Sequence, residues 1–233
     1  MARFKNIQEL SKTMDLKSIK DKLPDSVYDI LEKEIKDLRP AQEKSVKKGL
    51  LEGRSLLVCT PTASGKTLIA ELAMLKAIVE GKGKAVYIVP LKALASEKFR
   101  DFKRRYSNIA KIALSMGDID SSDSFLADYD LIVTTSEKLD SLIRHHAPWL
   151  ESVATVVVDE IHLLNDTERG PTLEILLTIL KQLLKSAQII GLSATIGNAE
   201  ELAEWLQADL IVDEWRPVEL HKGIYLDGKI EFY

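Results

Sequence analysis

One cysteine, Cys59, stands among 233 residues. A single thiol excludes an intrachain disulfide and any multi-thiolate metal site. It closes the apolar run Ser55-Leu56-Leu57-Val58-Cys59, where a small buried side chain is the expected role rather than a reactive thiol. No apolar run approaches the roughly 20 residues of a membrane helix. The start, MARFKNIQEL, has no apolar core segment or small-residue cleavage pattern, so no signal peptide is expected. Positive charge is also lacking, since 32 Lys and Arg face 36 Asp and Glu for a net charge of −4. A chain that grips nucleic acid by bulk charge would be basic, so any such grip must come from local groups. Together these absences predict a cytoplasmic chain with no membrane contact.

What is present is 45% hydrophobic and 29% charged, enough for one large α/β domain or at most two small ones. Six apolar runs recur at intervals: Leu56-Leu57-Val58, Ala85 to Val89, Ile112-Ala113-Leu114, Leu131-Ile132-Val133, Ala154 to Val158 and Ile189 to Leu192, with a weaker seventh at Leu210-Ile211-Val212. Several are continuous and β-branched, as strands buried on both faces of a parallel sheet are. Helix-period stretches lie between them, including Thr67 to Glu80, Leu91 to Arg105 and Thr172 to Lys185. The alternation predicts a doubly wound α/β fold, a mostly parallel sheet with helices on both faces. Residues 1–23 are polar and Lys-rich without a firm periodic face, and read as an N-terminal extension and lead-in. Residues 24–214 form the domain. Trp215-Arg216-Pro217 then breaks the pattern, and residues 215–233 read as a linker and the start of a next domain. Within them Val218 to Tyr233 alternates like a hairpin turning at Asp227-Gly228.

Thr60-Pro61-Thr62-Ala63-Ser64-Gly65-Lys66-Thr67 follows the first strand and opens a helix. This is the P-loop pattern with Thr60 in place of the first glycine. Successive backbone N–H groups and the helix N-terminus face an anion. Lys66 can reach β and γ phosphates, the Thr67 hydroxyl can ligate Mg2+, and Gly65 permits close backbone approach. A Gly/Ser/Thr-rich turn capping a helix is the plainer alternative. Two further groups sit at strand ends. Asp159-Glu160-Ile161-His162 follows a run of valines, where open α/β sheets place their ligands. Asp159 would hold Mg2+, and Glu160 would orient the attacking water. Ser193-Ala194-Thr195 follows the next strand; alone it reads equally as helix capping. The order of the three motifs carries the information.

With these residues the chain resembles the first RecA-like domain of a superfamily 2 DExH helicase. Leu38-Arg39-Pro40-Ala41-Gln42 resembles the upstream motif whose glutamine reads adenine. Val89-Pro90-Leu91-Lys92-Ala93-Leu94-Ala95, Ser115-Met116-Gly117-Asp118 and Thr134-Thr135-Ser136-Glu137-Lys138 resemble motifs that touch the nucleic-acid backbone. Asp140 to Arg144, Glu168-Arg169-Gly170 and Trp215 to Val218 are similar to the superkiller-like branch, and within it to the archaeal Hjm-type DNA repair helicases. The likeness covers roughly residues 20–233.

The resemblance implies a motor domain that couples ATP hydrolysis, with Mg2+, to translocation on single-stranded DNA and unwinding, in repair or replication-fork processing. It implies single-stranded or forked DNA as partner, a nucleoid association if the source is prokaryotic, and a second RecA-like domain supplying arginines to the ATP site. The implied nucleotide contacts are Gln42 and Thr60 to Thr67, with Lys66, Asp159 and Glu160 catalytic and Thr67 and Asp159 on the metal. The implied DNA contacts are Pro90, Lys92, Ala93, Gly117, Asp118, Thr134, Thr135 and Lys138. His162, Ser193, Ala194 and Thr195 would couple the two. The hydroxyls and N–H groups of Thr134 to Ser136 can grip phosphate without net positive charge, and serve equally as ordinary caps. An RNA helicase, a P-loop phosphotransferase and a non-hydrolysing nucleotide-gated module remain as alternatives at this stage. His145-His146, adjacent in sequence, read as a solvated turn, and Trp149 and Trp205 as packing anchors.

Overall fold

All seven apolar runs pair into one parallel sheet in the computed structural model, which describes residues 14–117, 123–218, 221 and 223–232. In chain order the elements are β1 (Met14–Asp15), α1 (Asp25–Leu31), β2 (Asp37–Leu38), α2 (Pro40–Lys47), β3 (Leu56–Cys59), α3 (Lys66–Val79), β4 (Lys84–Val89), α4 (Lys92–Tyr106), β5 (Ile112–Ser115), β6 (Leu131–Thr135), α5 (Ser136–Arg144), β7 (Val153–Val158), α6 (Gly170–Leu183), β8 (Gln188–Ser193), α7 (Ala199–Leu206), β9 (Asp209–Val212), β10 (Gly223–Leu226) and β11 (Lys229–Phe232). The sheet runs β5-β6-β4-β7-β8-β3-β9, with every neighbouring pair parallel.

Alternation along the strands builds two cores. Leu56, Val58, Ala85, Tyr87, Val89 and Val157 face α1 to α4, while Leu57, Cys59, Val86, Ile88, Val156 and Val158 face α5 to α7. The central strands therefore bury apolar side chains on both faces, with the few polar residues, such as Thr155 and Gln188, themselves buried, which is why the runs lack a regular polar alternate. α3 is a natural helix, rich in Ala and Leu. α4 carries Lys103, Arg104 and Arg105 in its last turn, complementing the helix dipole.

The lead-in departs from its sequence reading. Leu16–Lys22 forms a 3-10 helix capped by the Asp15 side chain, which accepts from Lys17 N at 2.8 Å. Leu16 and Ile19 are 1% and 2% exposed, and burying such side chains contributes about 1.5–3 kcal/mol each. β1 pairs with β2 just before α2, so residues 14–23 close onto the core rather than standing apart from it. The buried face consists of little more than Leu16, Ile19 and Leu23 among lysines, too short a pattern to stand out over the roughly 11–18 residues that a periodic face needs. Residues 1–13 lie outside the described residues. The expected hairpin is present: β10 and β11 are antiparallel about Asp227-Gly228 and exposed along their length.

Candidate functional site

Because the sheet is parallel, every strand delivers its C-terminal end to one edge, and the chemistry-bearing motifs all lie there. The strand order divides that edge. Thr60 after β3, Ser193 ending β8 and Asp159 after β7 occupy one half; Pro90 after β4, Thr135 ending β6 and Ser115 ending β5 occupy the other.

The P-loop is tied to its neighbours by hydrogen bonds. Lys66 Nζ donates to Ser193 O at 2.9 Å and to Thr60 O at 3.5 Å. Thr60, in the position where the common pattern has glycine, is fully buried, and its hydroxyl bonds that of Ser64 at 2.6 Å. Its N–H donates to Ser193 O at 3.2 Å. The hydroxyl thus closes the loop from inside, a device glycine lacks. Pro61 and Ser64 are buried, while Thr62 and Ala63 face solvent. Gly65 has φ +91°, and a Cβ there would fall 2.5 Å from Gln42 Nε2. Ala63 also has positive φ, 63°, a strain of the kind that clusters at ligand sites.

Gln42 is buried, and its amide is engaged at both ends: Nε2 donates to Gly65 O at 2.9 Å and Oε1 accepts from Arg39 N at 2.8 Å. It joins the first turn of α2 to the P-loop. One N–H and one lone pair remain for a base edge. Arg39 donates to Ala63 O at 2.7 Å and lies over the Trp215 ring at 5.5 Å. Beside Gln42 and Gly65 opens a cleft of about 680 Å³, walled by Thr67, Lys98, Phe102 and Arg105.

Asp159, 8% exposed, accepts from the Tyr87 hydroxyl at 2.7 Å and from Glu160 N at 3.0 Å. Burial, then the adjacent carboxylate, pushes the Tyr87 hydroxyl well above the ordinary tyrosine value, so it stays a donor. Lys98 Nζ donates to Thr67 Oγ1 at 2.9 Å and lies 3.7 Å from Asp159 Oδ2. One ammonium thus touches both groups expected to hold Mg2+. Hydroxyl and carboxylate oxygens are the hard donors that Mg2+ takes, with phosphates and water completing the shell. Among the described residues no cluster of three His, Cys, Asp or Glu side chains could hold a metal alone.

Glu160 has φ 53°, uncommon for a residue with a side chain. Its Oε2 lies 3.2 Å from His162 Nδ1, which also faces the Ala194 N–H at 3.5 Å. A short polar path therefore runs from the carboxylate through the imidazole to the backbone of the segment 193–195. Thr195 itself faces solvent.

On the other half of the edge, Lys92, Ala93 and Gly117 are exposed and Pro90 partly so. Three expected contacts lie differently. Thr134 is fully buried, and Thr135, 4% exposed, caps α5 by accepting from Lys138 N at 3.4 Å. The Lys138 ammonium is buried and pairs with Asp123 Oδ2 at 3.1 Å, where Ser115 Oγ also donates at 2.8 Å. The helix N-terminus, rather than these side chains, faces the edge. Asp118 lies outside the described residues.

Sequence reading assigned no role to Tyr87 or Lys98, and quoted Arg39 only as part of the motif around Gln42. Tyr87 carried a signal, the one polar-tipped ring in an otherwise aliphatic strand; Lys98 carried none, being one of several lysines on an amphipathic helix.

The family profile described as DEAD/DEAH box helicase matches residues 39–202. The ATP-dependent DNA helicase Hel308 of Pyrococcus abyssi is 55% identical over 197 residues, 84% of this chain and 27% of that protein. Its namesake in Methanocaldococcus jannaschii is 57% identical over 205 residues, 85% of this chain and 17% of that protein. The solved structure of the DUF1998 helicase MrfA superposes with a TM-score of 0.67 at 25% identity, over 82% of this chain and 33% of that one. The chain spans 17–27% of the length of these curated relatives.

Proposed function

The chain belongs to the DEAD/DEAH box helicase family, and from that premise we propose that it is the ATP-binding motor domain of an ATP-dependent DNA helicase. The observation that carries this is the convergence of Lys66, Ser193 and the Asp159-Glu160 pair at the ends of three neighbouring strands. The family implies ATP. Thr60 to Thr67 cradle its phosphates with backbone N–H groups, Lys66 supplies the cation, and the amide of Gln42 reads the base. Thr67 and Asp159 hold Mg2+, which when bound neutralises charge on the phosphates. Glu160 orients water for attack, and His162 passes the state of that carboxylate to Ala194 and its neighbours.

DNA runs over Pro90, Lys92, Ala93 and Gly117 and over the N-terminus of α5, which Thr135 caps. The contacts are to phosphate and sugar, since exposed backbone and one lysine carry no sequence code. Relatives named as DNA helicases support DNA over RNA. The β10–β11 hairpin begins a further domain, and a second RecA-like domain completes the ATP site with arginines, so this chain alone turns ATP over very slowly. Among the described residues no helix is long and apolar enough to cross a membrane.

The test uses the complete protein. Glu160→Gln keeps the Mg2+ ligand Asp159 and removes the base, so ATP binding persists and DNA-stimulated hydrolysis is lost. Normal hydrolysis by this variant would overturn the assignment.

A further inference from the structure

Among the described residues, Lys98 is the one cation that touches both proposed Mg2+ ligands. Its side chain is 15% exposed, and its ammonium lies 2.9 Å from Thr67 Oγ1, 3.7 Å from Asp159 Oδ2 and 5.8 Å from the centroid of the Tyr87 ring. Among the described residues the hydrogen-bond donors to Asp159 are neutral, the Tyr87 hydroxyl and the Glu160 N–H. The local charge balance of a buried carboxylate therefore rests on Lys98.

We propose that Lys98 is a positioning residue that competes with the divalent cation for the seat between Thr67 and Asp159, setting the cation concentration at which the site loads. The inference rests on the proposed nucleotide site and adds a regulator to it. Two cations within reach of one hydroxyl and one carboxylate repel too strongly to share them. A lysine stem has rotatable bonds enough for its head to swing away while α4 stays in place. The 680 Å³ cleft beside it, which Asp101 also lines, receives the displaced head. Pairing with Lys98 thus keeps Thr67 and Asp159 in register, and cation binding must displace that pairing. The consequence is a higher threshold for metal, so that loading favours a cation delivered together with phosphate.

The experiment titrates the 233-residue chain with Mn2+ alone, following free ion by electron paramagnetic resonance. Lys98→Met keeps the length of the stem and removes the charge, and should lower the half-saturating Mn2+ concentration about tenfold. Asp159→Ala in the same background should cancel that gain. Lys98→Gln keeps a donor to Thr67 without the charge and should show the same fall, which covers a Met variant that folds poorly. Circular dichroism checks the fold of each. An unchanged or weaker Mn2+ affinity in both folded Lys98 variants would overturn the proposal. Nucleotide binding by the unmutated chain, measured alongside, separates the two readings: if it is normal while the Mn2+ threshold does not move, only the role of Lys98 fails.

Discussion

The Lys66 ammonium donates to the carbonyl of Ser193 at 2.9 Å, joining residues 127 apart in sequence. The bond crosses from the first turn of the P-loop helix to the end of β8, so the cation proposed to bind phosphate is already held at the edge of the sheet. Catalytic groups held by such contacts need less reorganisation when substrate arrives.

Gln42→Ala removes the bond from α2 to Gly65 of the P-loop and the bond that caps α2 at Arg39 N, leaving the Arg39 tie to Ala63 O. It leaves the Gly65 carbonyl and Arg39 N–H without their partner, at a cost of about 1–3 kcal/mol. Nucleotide affinity should fall for ATP and GTP together, with an added loss of preference for adenine. Thermal melting and paired nucleotide titrations check this; unchanged melting would contradict the tie.

Arg105 pairs with buried Glu71 and reaches Glu34 at 2.9 Å. Burial raises the Glu71 carboxyl above its ordinary value even against the Arg105 charge. Arg105→Ala would leave that carboxylate uncompensated, costing about 3 kcal/mol at neutral pH. A carboxyl whose folded value is raised loses stability as pH climbs above its unfolded value. The deficit relative to the unmutated chain should therefore narrow as pH falls toward 5, roughly one unit above the unfolded range. Urea unfolding at a series of pH values measures it, and a deficit that widens on acidification would refute the assignment.

On the proposed DNA track, exposed Lys92 and buried Lys138 should behave differently. Lys92→Ala should weaken single-stranded DNA binding by the complete protein about equally across sequences and reduce the salt slope by about one unit at most. Lys138→Ala breaks the pair with Asp123 at 3.1 Å, and should lower stability before it touches the salt slope. Oligonucleotides of several compositions, titrated over a range of salt, read both. A Lys138→Ala protein of normal stability with a reduced slope would reverse the two roles.

Much of this was legible in the sequence because the sheet is buried on both faces. β-branched runs such as Ala154 to Val158 had no other use, and the motifs sat where each run ended. The helices Thr67 to Glu80 and Leu91 to Arg105 lie within a residue or two of α3 and α4. Three things were not legible. The 3-10 segment Leu16–Lys22 buries only Leu16 and Ile19 among lysines, too short a pattern to read as a periodic face. Thr134 and Thr135 turn inward because β6 is covered on both sides, and Lys138, on α5, turns in to pair with Asp123, which pattern matching cannot register. The meeting of Lys98 and Tyr87 at Asp159, 72 residues from Tyr87, was not legible either: the polar-tipped ring in an aliphatic run marks Tyr87 as unusual, but no local spacing names its partner.

The central claim is that Thr60 to Thr67, with Asp159, form a Mg2+-dependent nucleotide site, and a titration of the 233-residue chain with a fluorescent adenine nucleotide tests it most directly. The account predicts saturable binding with Mg2+ present, weakened at least about tenfold by chelation, by Lys66→Ala and by Thr67→Ala, each of which removes charge-assisted contacts of about 1.5–3 kcal/mol. Absence of binding by the unmutated chain, or binding indifferent to Lys66, would contradict it.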